Sequence, residues 1–177
     1  MAPKTSITIS TDLSSSNGDE VNIPLCIELD RTLVATNLQH ESMIAAVAAK
    51  PTRVVHLPVW LMSSAESLQR RLSNIAPLDP ALLPYNQELL RELEAEKRRG
   101  RKLYLLAHGD ATLARSIADH LDIFTDVIAV EDKSSTNEEL VERFGSGGFD
   151  YVGGGRTDPS VWKCCRERIS VEDGSAL

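Results

Sequence analysis

The feature that most constrains this chain is an alternation between two hydrophobic periods. Short apolar runs at residues 23–29, 103–107, 127–130 and 149–152 are separated by longer stretches whose apolar residues recur every three to four positions. Short continuous runs of this kind read as strands buried on both faces, and the longer stretches read as amphipathic helices. Strands that alternate with helices lie parallel, and the connecting helices cover both faces of the sheet. The expected fold class is therefore α/β, a Rossmann-like parallel sheet with helices on both faces.

Local signals punctuate this pattern. Asn86 is placed to cap a helix that runs to Arg99, with Leu89, Leu90 and Leu93 on its buried side and Gly100 as its stop. Lys97, Arg98 and Arg99 suit the negative end of that helix dipole. Further helices are expected over residues 110–121, with Asp110 as cap, and over 138–144 and 158–167. Between the first strand and Pro80 the rhythm breaks. Residues 41–50 and 64–75 read as helices around an apolar run at 54–62, with no strand for the sheet. The simplest account is a small helical cap inserted after the first strand. The expected organisation is a flexible N-terminal tail over 1–22, a core formed by 23–36 and 81–168, the cap at 37–80, and a C-terminal tail over 169–177.

Composition narrows the function classes. Nineteen Lys and Arg against 26 Asp and Glu give a net charge of −7, which argues against a broad nucleic-acid surface. No run of about 18 apolar residues suggests a membrane span, and the N-terminal residues lack the apolar stretch of a signal peptide. A cytoplasmic location is expected. Two features keep membrane association open: the Trp60-containing run 54–62, and the basic cluster of Arg91, Lys97, Arg98, Arg99, Arg101 and Lys102, read more simply as a solvated helix end. The three cysteines form no CxxC pair, so reduced thiols are expected, with Cys26 as a small core residue.

In an open parallel sheet, ligands bind beyond the carboxyl ends of the strands. Three loops lie there: Glu28-Leu29-Asp30-Arg31-Thr32-Leu33, Ala107-His108-Gly109-Asp110, and Gly153-Gly154-Gly155-Arg156-Thr157-Asp158. The first resembles the Asp-x-Asp-Gly-Thr motif of the haloacid dehalogenase-like (HAD-like) superfamily. More narrowly, the chain resembles the phosphatase-like domain fused ahead of some membrane prenyltransferases. That likeness runs through Pro24 to Thr36, His40-Glu41-Ser42, Leu57-Pro58-Val59-Trp60-Leu61, Ala76-Pro77-Leu78-Asp79-Pro80, Leu83-Pro84-Tyr85-Asn86 and the stretch 149–162, and covers roughly residues 22 to 165.

The resemblance implies magnesium-dependent phosphoryl transfer to an aspartate, with a second aspartate as acid and base. It also makes the departures meaningful. Glu28 stands at the nucleophile position, one methylene longer than aspartate. Asp30 and Thr32 match. Arg31 replaces the usual glycine, where it would crowd the pocket, pair with the carboxylates or bind the anion itself. Ala107 falls where a phosphate-binding hydroxyl is expected, followed by His108 and Gly109. Gly154 replaces a metal-binding aspartate, while Asp158 remains. Lys133 is the candidate for the family's lysine. The resemblance thus implies Glu28 and Asp30 as catalytic residues; Arg31, Thr32, His108, Gly109 and Lys133 as phosphate or substrate contacts; and a weakened magnesium site on Glu28, Asp30 and Asp158.

With four elements altered together (nucleophile, hydroxyl, metal ligand and lysine), the expected protein has weak or no hydrolase activity and retains binding of a phosphorylated small molecule or of a partner, such as a membrane prenyltransferase or a membrane surface. The alternatives are an active magnesium-dependent phosphomonoester hydrolase and a pure interaction module. Plainer readings stand beside these: Glu28 as a carboxylate at a strand end, Asp30 and Asp158 as turn or helix caps, and His108 as a partly solvated loop residue.

Overall fold

The structure, a computed structural model, describes residues 22–36, 78–109, 111–130, 133–154 and 159–171. Residues 37–77 of the cap expected at 37–80 lie outside the described residues, and so do Asp110, Asp158 and the Trp60-containing run.

Five strands form one sheet: β1 (Leu25–Glu28), β2 (Leu103–His108), β3 (Asp126–Val130), β4 (Asp150–Gly154) and β5 (Arg168–Val171). Their order across the sheet is β3-β2-β1-β4-β5, and every pairing is parallel. Among the described residues four helices connect them: α1 (Gln87–Arg98), α2 (Ala111–Leu121), α3 (Thr136–Phe144) and α4 (Pro159–Cys164). The α/β expectation holds. β5 was not anticipated, and the expected C-terminal tail from residue 169 is corrected by it. The run Arg168-Ile169-Ser170-Val171 alternates outward and inward, and Ile169 and Val171 are buried. Two apolar residues in a four-residue strand give too weak a period to separate from a tail.

The two faces of the sheet carry two cores. On one face Leu25 and Ile27 of β1, Leu103, Leu105 and Ala107 of β2 and Val152 of β4 join Leu89 and Leu93 of α1 and Ala114 and Ile117 of α2. On the other face Cys26, Leu106, Ile128 and Tyr151 join Leu140 of α3 and Val161 of α4. Cys26 is fully buried, and burial pushes its thiol up to about 12, so it behaves as a small apolar side chain.

The junction of α1 and β2 shows how sequence becomes architecture. The Asn86 side chain accepts a hydrogen bond from the Leu89 amide, as expected of an N-cap. At the other end Gly100 adopts φ +89°, its amide donates to the Lys97 carbonyl, and the Arg101 amide donates to the Glu96 carbonyl. That paired pattern closes the helix and requires a residue free to take positive φ. The chain then turns inward, and Arg101 is buried rather than solvated, which corrects the reading of the basic cluster as a helix end in water.

The Arg101 guanidinium bonds the Ile23 carbonyl at 2.9 Å, Glu96 at 3.2 Å and Asp150, which also receives two bonds from Arg166 at 2.8 and 2.5 Å. Removing one member of a buried network leaves the others desolvated without compensation. Arg99 still reaches Glu96, and Arg166 still reaches Asp150, so the loss should fall at the lower end of the range for buried pairs. We expect Arg101→Met to lower unfolding stability by about 3 kcal/mol. Arg166→Ala, whose side chain is about a third exposed, should cost less than about 1 kcal/mol. Urea titrations that give equal losses for the two variants would contradict this division.

Candidate functional site

The strand order fixes where a ligand can enter. From β1 the chain progresses through β2 to β3 at one edge, then crosses back to β4 on the other side of β1. Such a reversal opens a crevice at the carboxyl ends of the two strands that flank it, here β1 and β4. Glu28 is the last residue of β1, and its register partner on β2 is Leu106. Gly154 is the last residue of β4.

The loop after β1 winds back on itself. The Leu33 amide donates to the Glu28 carbonyl at 3.2 Å, the Val34 amide to the Leu29 carbonyl at 3.0 Å, and the Arg31 amide to the Thr36 carbonyl at 3.3 Å. Leu33 and Val34 are fully buried and anchor the turn to the core. The return is stitched to the segment before α1, because the Ala35 amide donates to the Pro84 carbonyl and the Asn86 amide to the Leu33 carbonyl, both at 2.9 Å. This places Glu28, 5% exposed, and half-buried Asp30 at the strand end.

Thr32 is drawn inward by its neighbours and is 1% exposed. Its hydroxyl oxygen is buried and has no hydrogen-bond partner among the described residues. Buried hydroxyls are normally satisfied, because an unpaired one costs roughly 1–3 kcal/mol. β4 comes up beside it: a Cβ placed on Gly154 would lie 3.6 Å from the Thr32 hydroxyl oxygen and 3.5 Å from the Arg31 carbonyl oxygen. Those are ordinary contact distances, so residue 154 is glycine without steric need, and a small space adjoins the Thr32 hydroxyl.

Arg31 departs from two of the roles considered for it. Its side chain is exposed, and among the described residues it enters no ion pair with Glu28, Asp30 or any other carboxylate. It neither crowds the pocket as a buried cation nor neutralises the two acids. Its backbone is left-handed, at φ +58°. That explains physically why glycine suits the position: an L-residue pays roughly 1–2 kcal/mol to adopt this conformation.

On β2, Ala107 packs into the core on the α1 and α2 side. His108 follows two residues after Leu106, the partner of Glu28, so alternation places it on the Glu28 side of the sheet. His108 Nε2 lies 3.0 Å from the hydroxyl of Thr136, the buried first residue of α3. Sequence reasoning missed Thr136, although a Thr two residues before paired glutamates is a helix-start signal. Gly109 adopts φ +96°, donates to the Val130 carbonyl at 3.1 Å, and has open space where a side chain would stand. Lys133 begins the 3-10 turn Lys133–Ser135 that leads into α3; its side chain lies outside the described residues.

The structure therefore gathers Glu28, Asp30, Arg31 and Thr32 on one loop beside Gly154, with His108 on the neighbouring strand. Magnesium takes near-octahedral oxygen coordination. Among the described residues no three His, Cys, Asp or Glu side chains form a metal-binding group, and Gly154 contributes no carboxylate. The described residues by themselves do not complete the donor set that the resemblance implies.

Comparison with solved structures identifies the fold. A substrate-bound phosphoserine phosphatase complex superposes with a TM-score of 0.55 at 15% identity, covering 84% of this chain and 85% of that one. A phospho-aspartyl intermediate analogue of phosphoserine phosphatase gives 0.53 at 16% identity, covering 83% and 85%. A HAD family hydrolase from Salmonella enterica serovar Typhi gives 0.57 at 12% identity, covering 81% and 61%. In sequence, the chain is 26% identical over 157 residues to the uncharacterized protein y4nM of Sinorhizobium fredii, a match spanning 86% of this chain but 30% of that longer relative. No known protein family's sequence profile matches the chain.

The left-handed backbone at residue 31 makes a stability prediction of definite sign. Arg31→Gly should leave stability unchanged or raise it by up to about 1 kcal/mol, as relief of strain offsets the greater freedom of the unfolded chain. Arg31→Val, β-branched at positive φ, should lower it by at least about 1 kcal/mol. Thermal unfolding that ranks the valine variant at or above the glycine variant would refute the assigned conformation.

Proposed function

We propose that this chain, which has the haloacid dehalogenase-like phosphatase fold, binds a phosphorylated small molecule at the carboxyl ends of β1 and β4 and hydrolyses it weakly or not at all. The observation that carries this reading is the buried Thr32 hydroxyl beside Gly154, without a partner among the described residues and next to a small space. A ligand oxygen there satisfies a group that otherwise pays its full desolvation cost. The phosphoserine phosphatases that share the fold, one of them substrate-bound, support the ligand class.

Weak chemistry follows from the residues at the site. Glu28 retains a carboxylate for attack on phosphorus, yet its extra methylene displaces the attacking oxygen by about 1 Å, a misplacement that can cost about 100-fold in rate. Gly154 supplies no carboxylate, and Ala107 supplies no hydroxyl and faces the core. On this reading Thr32, His108, Gly109 and Lys133 contact the phosphate, and a weakened magnesium site is built on Glu28, Asp30 and Asp158. His108, held by Thr136, replaces the missing hydroxyl as a donor to the anion. These elements act as a unit, so restoring one should recover little.

Magnesium-dependent hydrolysis of an aryl phosphate should be near background and indifferent to Glu28→Ala. The double variant Glu28→Asp with Gly154→Asp should recover part of the activity, since a Cβ at residue 154 meets only ordinary contacts. Robust turnover in the unaltered protein that Glu28→Ala abolishes would instead establish an active phosphomonoester hydrolase. Binding is tested separately. Calorimetry with inorganic phosphate should show an affinity that Thr32→Val lowers about tenfold, the effect of one hydrogen bond to a charged group.

A further inference from the structure

Arg31 is the one residue at the site whose conformation costs free energy and whose charge serves no structural purpose among the described residues. Guanidiniums at the opposite, amino end of the sheet are occupied. Arg101 holds Ile23, Glu96 and Asp150, Arg166 holds Asp150, and Arg143 pairs with Asp126 at 2.5 Å. Arg31 has an exposed side chain and no ion pair among the described residues, on a backbone at φ +58° that glycine would adopt without strain. Strained backbone of this kind concentrates at ligand clamps, where the contacts made on binding repay the strain.

Its neighbour gives the direction. Thr32 follows immediately, about 3.8 Å away between Cα atoms, and carries its hydroxyl inward to the space beside Gly154. Two adjacent residues thus offer donors at different depths: a hydroxyl in the interior and a planar guanidinium at the rim. The Arg31 carbonyl oxygen and the Thr32 hydroxyl oxygen border the same space, 3.5 and 3.6 Å from a Cβ built on Gly154. A guanidinium at the rim offers a five-donor fork suited to phosphate or carboxylate oxygens of a further group.

We propose that Arg31 recognises a second anionic group of the ligand, so that the substrate class of this site is a small molecule with two anionic groups, one at the Thr32 hydroxyl and one at the rim. This deepens the phosphate-binding reading above and rests on it.

The test compares inorganic phosphate with inorganic pyrophosphate, titrated calorimetrically into the full chain without added magnesium. The unaltered protein should bind pyrophosphate about tenfold or more tightly than phosphate, the increment of one bidentate guanidinium contact. In Arg31→Gly that preference should fall to about twofold while phosphate affinity changes little, and Arg31→Lys should give an intermediate value because a point charge lacks the fork. A preference that persists in Arg31→Gly, or none in the unaltered protein, overturns the role of Arg31. If phosphate binding is then still weakened by Thr32→Val, the reading of the site itself survives. Failure of the unaltered protein to bind either anion overturns both.

Discussion

The buried Arg101 guanidinium is the interaction on which the rest of the geometry depends. It joins the carbonyl of Ile23, just before β1, to Glu96 near the end of α1 and to Asp150, the first residue of β4. Three elements are thereby aligned at the amino edge of the sheet, beside the start of β2. Once Leu25 stands against both Leu103 and Asp150, the register carries Glu28 to Leu106 three residues later. A buried ion network of this kind is not more stabilising than well-packed apolar side chains would be. Its contribution here is alignment: a guanidinium with fixed donor directions accepts one relative position of three partners, whereas apolar contacts tolerate sliding.

The two ends of the sheet are treated oppositely. At the amino edge the charged groups are paired, with Asp150 holding two arginines and Glu96 two. At the carboxyl edge the loop after β1 holds a left-handed arginine and a buried hydroxyl without a partner among the described residues, beside Gly154 at the end of β4, where a Cβ would meet only ordinary contacts. Local rules are broken where a fold exposes its ligand site and kept where it secures its own stability. The loop can carry such strain because Leu33 and Val34 anchor it in the core and the segment before α1 is hydrogen-bonded across it.

A shared fold does not by itself carry shared chemistry. Identities of 12 to 16% accompany superposition over more than four-fifths of the chain, because the pattern of buried strands and amphipathic helices survives wide substitution. Catalysis has no such tolerance. It depends on a few atoms held within about 1 Å, and on the reading proposed above Glu28, Ala107 and Gly154 stand at those positions. The fold sets where a site can lie, and the individual side chains decide what it does.

Most of the architecture was legible because it is local. Strand runs and helix periods, Asn86 at the start of α1, Gly100 at its end and Cys26 in the core are all signals contained within a few residues. The sequence also marked the loop from Glu28 to Thr32, since a motif is a local pattern. β5 escaped because two apolar residues do not make a period. The burial of Arg101 escaped because its partners lie up to 78 positions away, and nothing near it distinguishes it from Arg98 or Lys102. The positive φ of Arg31, the inward turn of Thr32 and the contact of His108 with Thr136 were decided by closure of the chain. Each depends on which segments the sheet brings together, and no local period encodes that.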